Sequence, residues 1–253
     1  MKVKDFLDLV LVILGIKQDD LVGFKLIHRV AKYLCPNYKL TWPELAWFYD
    51  KRLNSILAKF GEEYGFNAHR RLALQELLRL TENIEGDTAE CGVYKGCGSY
   101  IILLSNMKSR FRRIHHIFDS FEGLSSPNPE KDGSYWRQSS LSIDEQTVKC
   151  ILSDFHDVKY YKGWIPSRFG EVSSLTFSFV HIDVDLYEPT YESIRFFYDR
   201  MNAGGIIVCD DYGFLTCPGA TAAIDEFLAN KVEKMVRLPG GGGFFIKGVV
   251  TSL

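Results

Sequence analysis

Along residues 1–60, apolar positions recur three and four apart, the spacing of one helix face. They do so in "FLDLVLVILGI", "DDLVGFKLIHRVAKYL" and "ELAWFYDKRLNSILAKF", with Pro36 and Pro43 as breakers. These segments predict a helical N-terminal extension over residues 1–65. The first is interrupted by Asp8, falls short of the roughly 20 residues that cross a bilayer, and is followed by no small-residue cleavage site. It reads as an amphipathic helix packed on its own chain or on a partner subunit, with contact to a membrane surface as the alternative.

From residue 66 the rhythm becomes strand and helix in alternation. "AHRRLALQELLRLTENI" has helical spacing, "GDTAECGVY" is a short strand ending in glycine, "SYIILLSNMK" is helical, and "RIHHIFDSF" is a strand ending in acid. After a helix in "SIDEQTVKCILSDF", the strands "VKYYKGW" and "LTFSFVHIDVD" follow. The helix "TYESIRFFYDRM", the strand "GGIIVCDDY" and the helix "ATAAIDEFLANK" come next. This alternation predicts an α/β domain over residues 66–253, a mainly parallel sheet with helices on both faces. "KMVRLPGGGGFFIKGVV" reads as two strands joined by a Gly-rich turn, which adds an antiparallel hairpin at one edge.

Composition narrows the partners. The chain has 253 residues, 46% of them hydrophobic, enough for one large core. Its 30 basic and 32 acidic residues leave no broad positive field, so a small molecule is expected rather than nucleic acid. The six cysteines form no CxxC pair and read as free thiols in a reducing, cytoplasmic compartment.

In such a sheet, ligands bind beyond the carboxyl ends of the strands. The first strand ends in "AECGVYKGCGS", where Glu90, Gly92, Gly96 and Gly98 make a turn whose backbone can approach a nucleotide-like ligand; the plainer reading is that the glycines only turn the chain. The spacing is neither GxGxxG nor a GK[ST] loop, which weakens the dinucleotide and phosphate-loop readings. Asp119 ends the second strand, where a carboxylate can accept ribose hydroxyls.

Two further strands end in acid. "FVHIDVDLYEPT" carries Asp183, Asp185 and Glu188, and "GGIIVCDDY" closes on Asp210 and Asp211. One helical crossover separates them, so Asp183, Asp210 and Asp211 are expected to converge. Adjacent buried carboxylates repel, and a divalent cation resolves the repulsion; oxygen ligands favour Mg²⁺, then Mn²⁺ or Ca²⁺. Helix capping is the alternative for Asp210 and Asp211. His181 reads either as a hydrogen-bonded core histidine or as a group supporting the acids or the chemistry. Gly163 and Trp164 could line the adenine end of a pocket, or Trp164 could simply pack. "FEGLSSPNPEKDGSYWRQ" is a polar loop expected above the strand ends as a lid, its Tyr135 and Trp136 stacking on a ligand or anchoring the loop.

"AECGVYKG", "DSFEGL", "KGWIPS", "HIDVDLYEPT", "AGGIIVCDDYG" and "PGATAAIDEF", in that order over residues 66–250, resemble the macrocin O-methyltransferase (TylF-like) family of S-adenosylmethionine-dependent enzymes. The resemblance implies a class I methyltransferase fold of seven strands, and methyl transfer to a hydroxyl, typically on the sugar of a natural product. It implies cofactor binding by Glu90, Cys91, Gly92, Tyr94, Gly96 and Ser99 of the turn, by Asp119 and Ser120, and by Gly163 and Trp164. Asp183, Asp210 and Asp211 would hold Mg²⁺. Asp183 is the first choice of base, with Asp185 the alternative one strand alternation away and His181 as a further catalytic candidate. Related catechol O-methyltransferases place a lysine three residues after the first aspartate; here that position is Leu186, which makes a catechol acceptor less expected.

The apolar N-terminal helices predict a homodimer or larger oligomer. Two other classes share part of the pattern. A metal-dependent hydrolase would use the three aspartates on water but leaves Asp119 and the glycine turn unexplained. A non-catalytic cofactor-binding scaffold would have no use for the acids.

Overall fold

The computed structural model describes residues 10–16, 20–39, 41–42, 45–63 and 66–251. It divides into two compact units, Met1–Ser55 and Ile56–Leu253, against an expected boundary after residue 65. In the first, residues 10–13 are helical, while residues 6–9 of the expected first helix lie outside the described residues. Helix α1 is Asp20–Leu34. The single helix expected over residues 44–60 is instead a 3₁₀ turn, Ala46–Tyr49, followed by α2, Lys51–Phe60. The cause is Asp50, whose extended backbone breaks the run and whose carboxylate accepts from the Arg52 and Leu53 amides at 2.8 and 3.0 Å.

In the second unit, α3 (Ala68–Leu80) leads into β1 (Asp87–Cys91), and α4 (Cys97–Asn106) into β2 (His115–Asp119). Next come α5 (Glu145–Ile151), β3 (Val158–Lys162), β4 (Phe177–Ile182), α6 (Tyr187–Tyr198), β5 (Met201–Cys209) and α7 (Pro218–Leu228). The hairpin β6 (Val236–Arg237) and β7 (Gly243–Ile246) closes the sheet. The seven strands run in the order β3-β2-β1-β4-β5-β7-β6, with β7 antiparallel to both its neighbours and the other pairs parallel. This is the mainly parallel sheet with an antiparallel closing hairpin that the alternation predicted, and it has the seven strands that the family resemblance implied.

The central strand β4 is buried at every position, which is why it reads as one apolar run broken only by Ser178 and His181. Its register shifts between Phe177 and Phe179. Phe177 therefore joins the apolar layer of Val180 and Ile182, whereas Phe179 belongs to the opposite layer with Leu74, Ile101 and Ile102 of α3 and α4. The same layer takes Ile56 and Phe60 of α2. None of the six cysteines is disulfide-bonded. Among the described residues, no helix is long and apolar enough to cross a membrane.

Candidate active site

The carboxyl ends of β1, β2, β4 and β5 open into a cavity of about 330 Å³, within the size range of small-molecule sites. Its first wall is the turn after β1. Gly92 has φ 82° and stands so close to the end of β4 that a Cβ there would lie 1.9 Å from the Asp183 carbonyl oxygen. Asp183 in turn donates its amide to the Cys91 carbonyl at 2.8 Å. Tyr94, at φ 41°, and Gly96, at φ 88°, complete the tight turn into α4. Gly98 has no room for a side chain, because Glu90 Oε1 would be 2.0 Å from its Cβ.

Asp119 holds this turn against β2. Its Oδ2 accepts from the Val93 amide and its Oδ1 from the Phe121 amide, both at 2.7 Å. Burial pushes its carboxyl up, against the pull of those backbone donors. The Ser120 hydroxyl donates to the Gly123 carbonyl at 2.8 Å, and the Trp164 indole donates to the same oxygen at 3.3 Å. The Gly163 amide donates to the Asp119 carbonyl at 2.9 Å.

The acids gather on the other side. Asp183, Asp185 and Asp211 line the cavity. Asp185 leaves β4 with φ 61°, a conformation rare for a non-glycine residue, and its amide donates to Asp211 Oδ2 at 2.8 Å. Burial and the neighbouring Asp210 push the Asp183 carboxyl up to about 7, and burial pushes Asp185 up to about 6. Burial, with the charges of Asp185 and Asp183, drives Asp211 well above the carboxylate range.

Asp210 goes the other way. Burial opposes its charge, but His181, Arg70 and Arg71 outweigh burial and hold it well below the usual range. Arg70 Nη1 lies 2.7 Å and Arg71 Nη1 3.6 Å from Asp210 Oδ2. Burial disfavours the His181 imidazolium, yet Asp210 and Glu90 raise it to about 10.

The convergence expected of Asp183, Asp210 and Asp211 is therefore divided. Asp183 and Asp210 group with His181, and Asp211 groups with Asp185 and Cys217, the ligand-capable atoms within each group lying within 4.8 Å of one another. In donor type and charge these residues fit a hard divalent cation. Oxygen ligands predominate, and the carboxyls of Asp183, Asp185 and Asp211 are pushed toward neutrality by burial first and by neighbouring carboxylates second, a cost that a cation would relieve.

Of the positions expected at the cofactor, Glu90, Gly92, Tyr94, Asp119, Ser120, Gly163 and Trp164 line the cavity. Cys91, Gly96 and Ser99 do not. Cys91 points by strand alternation into the apolar core, Gly96 faces Val148 and Leu152, and the Ser99 hydroxyl is spent on Glu90. His181 and Asp210 also lie behind the lining, both buried. The expected lid is tied to the body. Asp132 accepts from the Tyr187 amide at 2.7 Å, and the Trp136 indole lies 3.2 Å from Cys217 Sγ. Trp136 lines the cavity, whereas Tyr135 is exposed.

The arginines of α3 were missed in the sequence. A signal was present: Arg71 shares the i, i+3, i+7 face of Leu74 and Leu78, a basic residue on the apolar side of a helix that enters β1.

The sequence model of the family described as Macrocin-O-methyltransferase (TylF) matches residues 66–239. A demethyldecarbamoylnovobiocin O-methyltransferase of Streptomyces niveus is 26% identical over 191 residues, 67% of this chain and 71% of that protein. The 8-demethyl-8-(2,3-dimethoxy-alpha-L-rhamnosyl)-tetracenomycin-C 4'-O-methyltransferase of Streptomyces olivaceus is 22% identical over 70% of this chain and 76% of its own. Among solved structures, a calicheamicin methyltransferase superposes with a TM-score of 0.65 at 18% identity, covering 92% of this chain and 95% of that one. The O-methyltransferase NovP superposes at 0.63 and 21% identity, covering 76% and 87%. The superpositions bear on the fold.

Proposed function

The chain belongs to the macrocin-O-methyltransferase (TylF) family and is an S-adenosylmethionine-dependent O-methyltransferase, and we propose that its acceptor is a hydroxyl on the sugar of a glycosylated natural product, methylated with the help of Mg²⁺. The observation that carries the reading is the meeting of the Gly92 turn and Asp119 with Asp183, Asp185 and Asp211 around one cavity. The glycine turn and the carboxylates thus share one cavity, where methyl donor and acceptor would meet. The relative from Streptomyces olivaceus is named for a rhamnosyl-bearing acceptor, which supports a sugar hydroxyl here.

In this reading the bare backbone at Gly92 lets the cofactor approach the end of β1, Asp119 accepts from a ribose hydroxyl, and Trp164 flanks the adenine. Asp183, Asp210 and Asp211 would hold the cation, drawing on both carboxylate groups. When bound, it would lower the pKa of the acceptor hydroxyl and fix its position. Asp183 takes the hydroxyl proton as the acceptor oxygen attacks the sulfonium methyl in line, the methyl–sulfur bond breaks with its electron pair to leave S-adenosylhomocysteine, and Asp185 orients the acceptor beside it. Leu186, which lines the same cavity, offers no amine to serve as base.

Catalysis is assigned to the unit that begins with the Ile56–Phe60 end of α2. The N-terminal helices, with Ile27, Val30 and Leu34 exposed on α1, are assigned to self-association; light scattering that reads a monomer would remove that assignment. The acceptor is tested by transfer of a labelled methyl group to matched glycosides and their aglycones. The expected label enters glycosides only, and equal labelling of the aglycones would overturn the sugar assignment.

A further inference from the structure

Glu90 and His181 stand opposite each other in the register of β1 and β4, 1% and 0% exposed. Both oxygens of Glu90 are engaged within the protein. Oε1 meets His181 Nδ1 at 2.7 Å, and Oε2 accepts from the Ser99 hydroxyl. The carboxylate also fills the space left by the missing side chain of Gly98.

The far side of the imidazole faces a second carboxylate. His181 Nε2 makes no hydrogen bond and lies 3.6 Å from Asp210 Oδ1. Arg70 and Arg71 stand at the other oxygen of Asp210, and Arg71 is itself held by Glu62 through contacts of 2.9 and 3.2 Å. Two of the three cations around Asp210 therefore have a carboxylate of their own behind them: Glu62 behind Arg71 and Glu90 behind His181.

We propose that Glu90, the position the family resemblance assigns to the cofactor, is a positioning residue for Asp210: acting through His181, it fixes the direction of the Asp210 carboxylate and keeps that carboxylate available to a divalent cation. A ring nitrogen held by a carboxylate cannot swing, so the opposite nitrogen presents a fixed face to Asp210. Without Glu90, the imidazole is free to pair with Asp210 alone and adds to the hold of the arginines, in competition with a cation. Loss of a buried negative charge also weakens the field that draws a cation in. The inference rests on the metal role proposed for Asp210.

The test measures two affinities on the full chain: Mn²⁺ by electron paramagnetic resonance with S-adenosylhomocysteine saturating, and S-adenosylhomocysteine by calorimetry in chelator. Glu90→Gln is expected to weaken Mn²⁺ about tenfold, the lower end of the effect of groups behind metal ligands, and to leave S-adenosylhomocysteine within about twofold. His181→Asn keeps an amide near Glu90 but falls short of Asp210, and is expected to lose Mn²⁺ to the same degree. His181→Gln reaches the Nε2 position and should recover part of the affinity.

Unchanged Mn²⁺ affinity in Glu90→Gln, or a loss confined to S-adenosylhomocysteine, overturns the inference and returns Glu90 to the cofactor. Metal-free binding of S-adenosylhomocysteine certifies that each variant is folded, and if Glu90→Gln is not, the two His181 variants decide. A wild-type protein that binds no Mn²⁺ sinks the metal reading and this inference together. Wild-type binding with no change in any variant sinks this inference alone.

Discussion

Gly92 and Asp183 meet backbone to backbone: the place of a Gly92 side chain is taken by the Asp183 carbonyl oxygen, which would lie 1.9 Å from a Cβ there. That contact locks the turn proposed to hold the cofactor to the strand end that carries the first acid. Any side chain at Gly92 must push β4 away and must also hold φ 82°. Gly92→Ala is expected to cost about 3 kcal/mol or more of stability, through the clash and the left-handed backbone together. Chemical denaturation checks it, and a variant within 1 kcal/mol of wild type would mean that the two strand ends are free to separate.

Asp119 anchors the same turn from the other side through the Val93 and Phe121 amides. Asp119→Ala removes the proposed ribose acceptor and loosens the turn, so S-adenosylhomocysteine binding is expected to weaken by about ten- to a hundredfold, the scale of a charged hydrogen bond. Asp119→Asn keeps acceptor capacity and should fall between. Calorimetry reads both, and an Asp119→Ala isotherm matching wild type would separate this residue from the cofactor.

The placement of these groups was largely legible in the sequence, because parallel strands are buried on both faces and must end where charge begins. Asp119, Asp183 and Asp210 each follow an apolar run directly, and each lies at a carboxyl end of the sheet. Less legible was what neutralises Asp210. Two adjacent acids suggested a cation, whereas part of the counter-charge comes from Arg70 and Arg71, more than a hundred residues earlier on a helix whose partner the pattern could not name. Asp185 is expected beyond the strand's end, and it lies there: β4 ends at Ile182, and Asp185, at φ 61°, lines the same cavity as Asp183. Local capping was the second omission: Asp50 splits a helix whose apolar spacing runs on unbroken through it.

His115 gives the fold a pH dependence of known sign. It is wholly buried between Thr88 and Ser99, and burial, with the charges of His116 and His181, lowers it from 6.5 to about 3. A histidine depressed in the folded state lends stability that is present above 6.5 and is lost as pH falls toward 3, because only the unfolded chain takes up the proton in that interval. His115→Gln removes this linkage while keeping an amide at the Nε2 position that can bond the Ser99 hydroxyl. The stability difference between wild type and variant is expected to move against wild type by about 1.4 kcal/mol per pH unit below 6.5. Urea melts at pH 7, 6 and 5 measure it; parallel curves for the two proteins would show that His115 is protonated in the folded state.

The central claim, that a carboxylate-held cation assists transfer of the cofactor's methyl group to a hydroxyl, is tested most directly by labelled-methyl turnover on a responsive glycoside, measured after chelation and again after Mg²⁺ is restored. Asp183→Asn, which removes both a proposed ligand and the proposed base, is measured alongside. The account predicts that chelation abolishes turnover, that Mg²⁺ restores it, that S-adenosylhomocysteine binds equally in both conditions, and that Asp183→Asn stays inactive at saturating Mg²⁺. Full turnover in excess chelator would contradict it, and would leave Asp183, Asp185 and Asp211 crowded around the cavity with no cation to account for them.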